Sequence, residues 1–579
     1  MENPREWETY AEKTQYRETP RYDETLAYVR RLAAVSRLIR LKSFGQSGQG
    51  RELPLAIAAS NETFTPQSAR KAGKAVVLIQ ACIHAGESDG KDAGLALLRD
   101  IAITKTRASL LDHVVVLFIP IYNVDGHERF NSYNRINQNG PAEMGWRANA
   151  ANLNLNRDYM KADAPETRAW LKMWNDWNPD LLVDCHVTDG ADYQYSLTYQ
   201  YEHHEDVPAS VLKWERAAFD GKIFPATEKA GNLLAPYLEF RDNRDLTKGI
   251  NGFLPTPRYS TAYTPLRNRP GLLIETHMLK DYRTRVRATY DLLRFTLEEV
   301  NRDPANLLKA ARQADEETLA QGKNYDPSRT VALQLELTDK PTPFRLKAIE
   351  YRRELSEVSG AARVIFGDKP LDLTVPFYDA TRATVSVTMP LYYIMPPQWT
   401  SVIETLAAHG LRLQRLNESL TIDVESYRFS DVSFAAASFE GRVMPTYKTN
   451  LVRERRTFPA GSIVVPLAQP AARVALHLLE PSAPDSLIAW GFFNAVFEQK
   501  EFGESYVLEK LAREMLAKDA NLRREFESRV ATDPKFAASA RARLQFFYDR
   551  SPYHDQELNL YPVARVVIPL RASAIDTKE

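Results

Sequence analysis

Between positions 84 and 275 the chain carries His84-Ala-Gly-Glu87, Asn154-Leu-Asn-Arg157, Asp184-Cys-His186 and Ile274-Glu275. Two histidines and a carboxylate (His84, Glu87 and His186) are the donor set of a catalytic zinc, which takes three protein ligands and keeps one position open for water. A metal there lowers the pKa of that water and polarises a carbonyl. A further carboxylate must take the water's proton and hand it to a leaving amine, and Glu275 is the candidate. An arginine near the carbonyl stabilises a developing oxyanion, and another can grip a free carboxylate with two parallel hydrogen bonds. Arg147, in Gly145-Trp-Arg147, and Arg157, in Asn156-Arg157-Asp158, are the candidates. Together these types imply hydrolysis of a peptide bond.

Each piece needs an element to position it. Ala75-Val-Val-Leu-Ile-Gln80 is an apolar, β-branched run that reads as a buried strand, and it leads into Ala81-Cys-Ile-His84. Gly86 lets the chain turn. Ser88 or Asp89 can cap a following helix with Ala93, Leu97, Leu98 and Ile101 on one face. Val114 to Ile121 reads as a strand ending in Asn123-Val-Asp-Gly126, Leu181 to His186 as a strand ending in a histidine, and Gly271 to Glu275 as a strand ending in a glutamate. In parallel α/β sheets that strand edge is where ligands bind. The His-x-x-Glu spacing also occurs at His477/Glu480 and His554/Glu557, without the strand-to-turn context. His477 therefore reads as a surface or partly buried histidine, and His554 as part of a polar turn.

With these residues in place, the chain resembles the zinc carboxypeptidase family (M14 metallopeptidases, or funnelins) over about residues 15 to 300. His84-Ala-Gly-Glu87 is similar to that family's first ligand pair, and Asn123-Val-Asp-Gly126 to its Asn-Pro-Asp-Gly turn, with Val124 in place of proline. Trp146-Arg147 resembles the segment of the oxyanion arginine, and Asn156-Arg157 the carboxylate-binding pair. His186 corresponds to the third ligand and Glu275 to the general base. Tyr22-Asp-Glu-Thr-Leu-Ala-Tyr28 and the stretch from Gly45 to Leu53 resemble its first helix and hairpin. The resemblance implies Zn2+ as cofactor and a peptide with a free C-terminal carboxylate as substrate. Asn154 stands where some members have an aspartate behind the first histidine, so a neutral group would orient that imidazole. For the family's catalytic tyrosine the nearest candidates are Tyr259 and Tyr263, read as substrate-binding.

Other residues carry two readings each. Arg267 and Arg269 could favour acidic side chains or be solvated loop arginines. His203 and His204 could hold a second metal, but a solvated polar loop is preferred. His277, two residues past Glu275, could line the cleft or hold Glu275. Asp184 could support His186 or close a local turn. His127 reads as a loop residue. Cys82 and Cys185, the only two cysteines, read as small buried residues, with a disulfide or a thiol near the metal as alternatives.

Lys plus Arg and Asp plus Glu both number 75, so nothing favours a nucleic-acid or membrane-surface role. An apolar fraction of 44% is enough for full-sized cores, and no run approaches the length of a membrane helix. The polar start, Met1-Glu-Asn-Pro-Arg-Glu6, is not a signal peptide; a secreted or periplasmic product after signal removal is favoured over a cytoplasmic one. The expected architecture is an α/β, mixed-sheet, zinc-carboxypeptidase-like catalytic domain over residues 1–310, closed by a helix over 283–300. Residues 311–579 follow as an α+β accessory region. It opens with a polar helical connector over 310–322 and continues with alternating strands near 330–337, 344–349, 383–389, 420–424 and 461–465. Helices are expected over 398–409 and 488–540. Every candidate site residue precedes position 280, so this region is expected to shape access only. The leading function is a metallocarboxypeptidase. A related zinc deacylase or amidohydrolase on a small N-acyl amino acid, and a zinc-dead peptide-binding protein, are the rivals.

Overall fold

In the computed structural model, residues 4–576 are described; residues 1–3, the start of the stretch read as a polar N-terminus, and 577–579 lie outside them. Ten strands form in the first half: β1 (Ile39–Gln46), β2 (Glu52–Ala58), β3 (Ala75–Ala81), β4 (Val114–Ile119), β5 (Leu181–Thr188), β6 (Leu197–Gln200), β7 (Leu234–Pro236), the short β8 (Glu239–Phe240) and β9 (Ile250–Asn251), and β10 (Gly271–His277). Eight of them make one mixed sheet, ordered β1-β2-β4-β3-β5-β10-β6-β7. Its centre is parallel, with β3 beside β4 and β5, and β5 beside β10. The parallel strands read as continuous apolar runs because both faces of the sheet are covered.

Strand alternation distributes those runs between two cores. Val77, Ile79, Val116 and Val183 face one side, with Leu26, Leu95, Leu98 and Leu292 from the helices Tyr22–Val35, Asp89–Ala102 and Tyr282–Arg302. Val76, Leu78, Val115 and Leu182 face the other, with Trp170 and Trp174 of the helix Pro165–Trp177. That second core does not stop at the first half: Met395, Val402, Leu406, Val465, Leu476 and Tyr561 belong to the same cluster.

The second half adds β11 (Thr330–Leu337), β12 (Thr342–Leu355), β13 (Ala362–Tyr378), β14 (Thr381–Thr388), β15 (Tyr392–Met395), β16 (Gln414–Arg415), β17 (Leu420–Phe434), β18 (Pro445–Phe458), β19 (Ile463–Pro466) and β20 (Leu560–Val566). A six-stranded sheet runs β16-β19-β15-β20-β17-β18, and β12-β13 continue into β9 and β8 of the first half. The expected closing helix spans Tyr282–Arg302, and the connector lies within the helix Pro304–Lys323. Helices expected from 488 begin later, at Ser505, after a 3-10 turn at Asn494–Phe497. No helix among the described residues is long and apolar enough to cross a membrane.

Candidate active site

Three strand ends converge. β3 runs into Cys82, whose φ of 56° is left-handed and strained for a non-glycine residue, and the turn delivers His84. Gly86 is required here: a Cβ would lie 2.7 Å from the carbonyl oxygen of Gly145 and 2.9 Å from Arg135 Cγ. β5 delivers His186, and β10 sets Glu275 beside it in register.

The Nδ1 atom of His84 lies 3.1 Å from Glu87 Oε1, the Nδ1 of His186 lies 3.0 Å from Glu87 Oε2, and the two Nδ1 atoms are 3.2 Å apart. Their ligand atoms all fall within 4.8 Å of one another, the one such group of three or more among the described residues. Each imidazole is held from behind. His84 Nε2 is 3.0 Å from Asn154 Oδ1, and His186 Nε2 donates to Asp184 Oδ2 at 2.9 Å. Ser260 donates its hydroxyl to the same carboxylate oxygen. Of the two readings of Asp184, the first holds: it orients His186. This donor set, with Nδ1 atoms facing inward and Nε2 atoms anchored, fits a zinc ion.

Electrostatics differ sharply across the cluster. Burial lowers the pKa of His84 to about 4, keeping it neutral. Burial would also lower that of His186, but the Asp184 charge and the bonds to Asp184 and Glu87 raise it well above the usual range. Burial pushes Glu87 upward, yet the His84 and His186 imidazoles that bond it and the Arg135 charge hold it well below the ordinary carboxylate value. Glu275 goes the other way. Burial raises it to about 8, with Glu87 and Asp184 adding to the rise against His186 and Arg147. Its Oε2 is buried without a partner. A carboxyl so poised can exchange a proton near neutral pH.

Around this centre, Arg147 keeps 45% of its side chain exposed and approaches Glu87 at 3.6 Å. The Asn-Val-Asp-Gly turn places it: Asn123 Oδ1 caps Gly126 N–H at 2.9 Å while Asn123 Nδ2 donates to the Arg147 carbonyl at 3.1 Å. Arg157 stacks its guanidinium 4.0 Å over the Tyr259 ring, and Asn156 Oδ1 accepts from Ser260 N–H at 3.1 Å. Tyr259 is thus brought to the arginine, but Tyr263 is not. It is fully buried against Tyr159, Trp170 and Trp174, and its hydroxyl is 2.8 Å from His409 Nδ1. The short helix Ser260–Tyr263 turns it into the core, which corrects its reading as substrate-binding.

Several secondary readings are settled similarly. Arg267 bonds the His409 carbonyl and Asn175, and Arg269 pairs with Asp315, so neither is a solvated loop arginine. His277 stacks on Tyr193 at 3.9 Å and pairs with Asp192. His127 is buried in the helix Val124–Glu128 beside Lys91, and His477 is buried in the helix Ala472–Leu479; neither lies on a loop or the surface. His203 pairs with Asp379 and His204 with Glu202, each its own ion pair. Cys82 and Cys185 are free and buried, and burial pushes the Cys82 thiol to about 12. Ser88 occupies the helix N-cap without a side-chain capping bond. One charged partner had no signal in the sequence: Arg135, from a polar loop, reaches Glu87 Oε1 at 2.8 Å.

Residues 25–220 match the zinc carboxypeptidase family. Carboxypeptidase 2 of Trichophyton tonsurans is 26% identical over 462 residues, covering 77% of this chain and 79% of that protein. Carboxypeptidase 2 of Trichophyton rubrum is similar to the same extent, 26% over 462 residues with the same coverage. Among solved structures, carboxypeptidase A from Helicoverpa armigera aligns with 52% of this chain and 75% of its own, at 16% identity and a TM-score of 0.36.

Proposed function

The chain belongs, through residues 25–220, to the zinc carboxypeptidase family, and on that premise we propose that it is a zinc-dependent carboxypeptidase that removes the C-terminal residue of a peptide. The observation that carries the reading is the inward-facing His84, Glu87 and His186 cluster with Glu275 set beside His186 on the neighbouring strand. His84 and His186 would hold zinc through Nδ1, and Glu87 through its carboxylate. When bound there, zinc would supply Lewis acidity toward the scissile carbonyl and toward the attacking water.

The chain's own residues do the rest. Glu275 accepts the water's proton at its carboxylate and returns it to the leaving amine nitrogen. Arg147, exposed at the cluster's edge, faces the carbonyl oxygen as negative charge develops on it. Arg157 and Asn156 bind the substrate's terminal carboxylate, and the Tyr259 ring beneath the guanidinium fixes its plane. The test is one peptide pair, free acid and C-terminal amide, with zinc measured in the same preparation. About one zinc per chain and strong preference for the acid are expected. Equal cleavage of acid and amide would reject exopeptidase action, and absence of zinc would reject the metal assignment.

A further inference from the structure

The carboxylate-binding segment of the first half is held in place from the second half at two points. The tip of the β17–β18 hairpin reaches across, with Glu440 and Gly441 both at positive φ. Glu440 Oε2 accepts the backbone N–H of Asn154 at 2.8 Å. Asn154 in turn contacts His84 Nε2 and caps the backbone N–H of Asn156 through its side-chain oxygen, each at 3.0 Å. Two residues beyond Glu440, Arg442 forms a two-pronged bond with Asp163, which closes the segment on its other side. The hairpin tip is therefore clamped, not merely adjacent.

The second point lies under Tyr259. Asp485, fully buried, accepts both the backbone N–H of Arg258 at 2.9 Å and its Nε–H at 2.5 Å. The Arg258 guanidinium lies 4.7 Å over Trp490, and Trp490 stacks on Phe439 of the same hairpin tip. Thus the two supports are tied to each other. One fixes the backbone leading to Arg157, and the other fixes the residue before Tyr259, the ring on which Arg157 lies. A charge-assisted bond to a backbone N–H has a definite direction, so each support sets a backbone plane rather than a distance alone. Among the described residues the Arg157 guanidinium makes one hydrogen bond, to the Asn156 carbonyl, and depends on these neighbours for its position.

We infer that Glu440 and Asp485 are positioning residues that aim the Arg157–Tyr259 pair at the substrate's terminal carboxylate, so that preference for a free C-terminus is built jointly by both halves. This rests on the carboxypeptidase reading. Neither residue touches substrate; both act through Arg157 and Tyr259.

The experiment uses the full chain loaded with zinc, and the variants Glu440→Ala, Glu440→Gln and Asp485→Asn. KM, kcat, zinc content and thermal midpoint are measured with the acid and amide peptide pair. Glu440→Ala removes the acceptor and should raise KM for the acid about tenfold, with a smaller change in kcat and a reduced acid-to-amide ratio of kcat/KM. Glu440→Gln keeps an oxygen for the Asn154 N–H and should recover most of that loss. Asp485→Asn should behave like Glu440→Ala. If Asp485→Asn fails to fold, the half-exposed Glu440 decides the matter alone. An unchanged acid-to-amide ratio in Glu440→Ala overturns the inference. So does a parallel fall of kcat, zinc content and thermal midpoint, which would mark a support of the fold only. If wild type itself does not distinguish acid from amide, it is the carboxypeptidase reading that fails.

Discussion

Replacing Glu275 by glutamine keeps the size and planar shape of the side chain and removes its ability to accept a proton. The structure sets two magnitudes for this change. Loss of a general base costs roughly 10²–10⁴ in rate, equivalent to about 3–5 kcal/mol of transition-state stabilisation. The second concerns folding of the metal-free protein. Burial raises the Glu275 carboxyl from 4.5 to about 8, so the folded state favours its protonated form. The stability this group contributes is complete below its ordinary pKa and is lost as pH rises through about 8. Glutamine cannot ionise and escapes that loss. At about pH 9 the metal-free variant should therefore be more stable than wild type by on the order of a few kcal/mol, and at about pH 4 the two should match. The assays are turnover of a free-acid peptide by the zinc-loaded enzyme, metal analysis, and thermal unfolding of the metal-free protein at both pH values. Near-normal turnover in Glu275→Gln would refute the base assignment. A variant that is less stable than wild type at alkaline pH would refute the claim that burial governs this carboxyl.

Four further outcomes are expected. His84→Ala and His186→Ala should each lower zinc content and activity together, since each removes one of three donors; full zinc by metal analysis in both would place the site elsewhere. Arg157→Ala should mainly raise KM for the free acid, and Arg147→Ala should mainly lower kcat, each with a loss of about a hundredfold in kcat/KM; steady-state kinetics on the same peptide pair would expose identical behaviour as a failure of the two roles. A chain ended at Gly322 should aggregate, because the core formed by Val76, Leu78 and the helix Pro165–Trp177 would lose its contacts with Met395, Val465 and Tyr561; a soluble, cooperatively folding product would contradict that. His203→Gln should cost stability at about pH 6 and progressively less as pH rises from 6.5 through about 9, since the Asp379 bond raises His203 to about 9 and that contribution is complete below 6.5; thermal midpoints at several pH values would show a flat difference if the pair were inert.

The parallel centre of the main sheet was legible because β3, β4 and β5 are buried on both faces, leaving continuous apolar runs in the sequence. The strand-end residues could be read with them, because each follows its run closely in sequence, as the Asn123 cap on Gly126 does. Tyr263 misled for the opposite reason. Its environment is made by His409, far along the chain, and nothing between Tyr259 and Tyr263 records that contact. Arg135 was silent because a loop arginine has no periodicity until Glu87 is placed before it. β13 and β18 escaped notice because they are largely exposed ribbons, with apolar alternation confined in β13 to the short run Leu371, Leu373 and Val375. Glu440 and Asp485 were invisible for both reasons, since each is a lone acid whose partner lies more than two hundred residues away.

The core that runs from Val76 and Trp170 to Val465 and Tyr561 also imposes an order on the birth of the molecule. During synthesis the half with the His84, Glu87 and His186 cluster emerges first, with the core around Val76 and Trp170 only partly covered. At ribosomal speeds the remaining 260-odd residues take roughly 15–50 s to follow. Until residue 440 emerges, the Asn154 backbone lacks the Glu440 carboxylate that anchors it. A nascent chain in this state exposes apolar surface of the kind that holdase chaperones bind. It also lacks the Glu440 and Asp485 contacts to Asn154 and Arg258, so the proposed carboxylate site stays incomplete until both acids have been made.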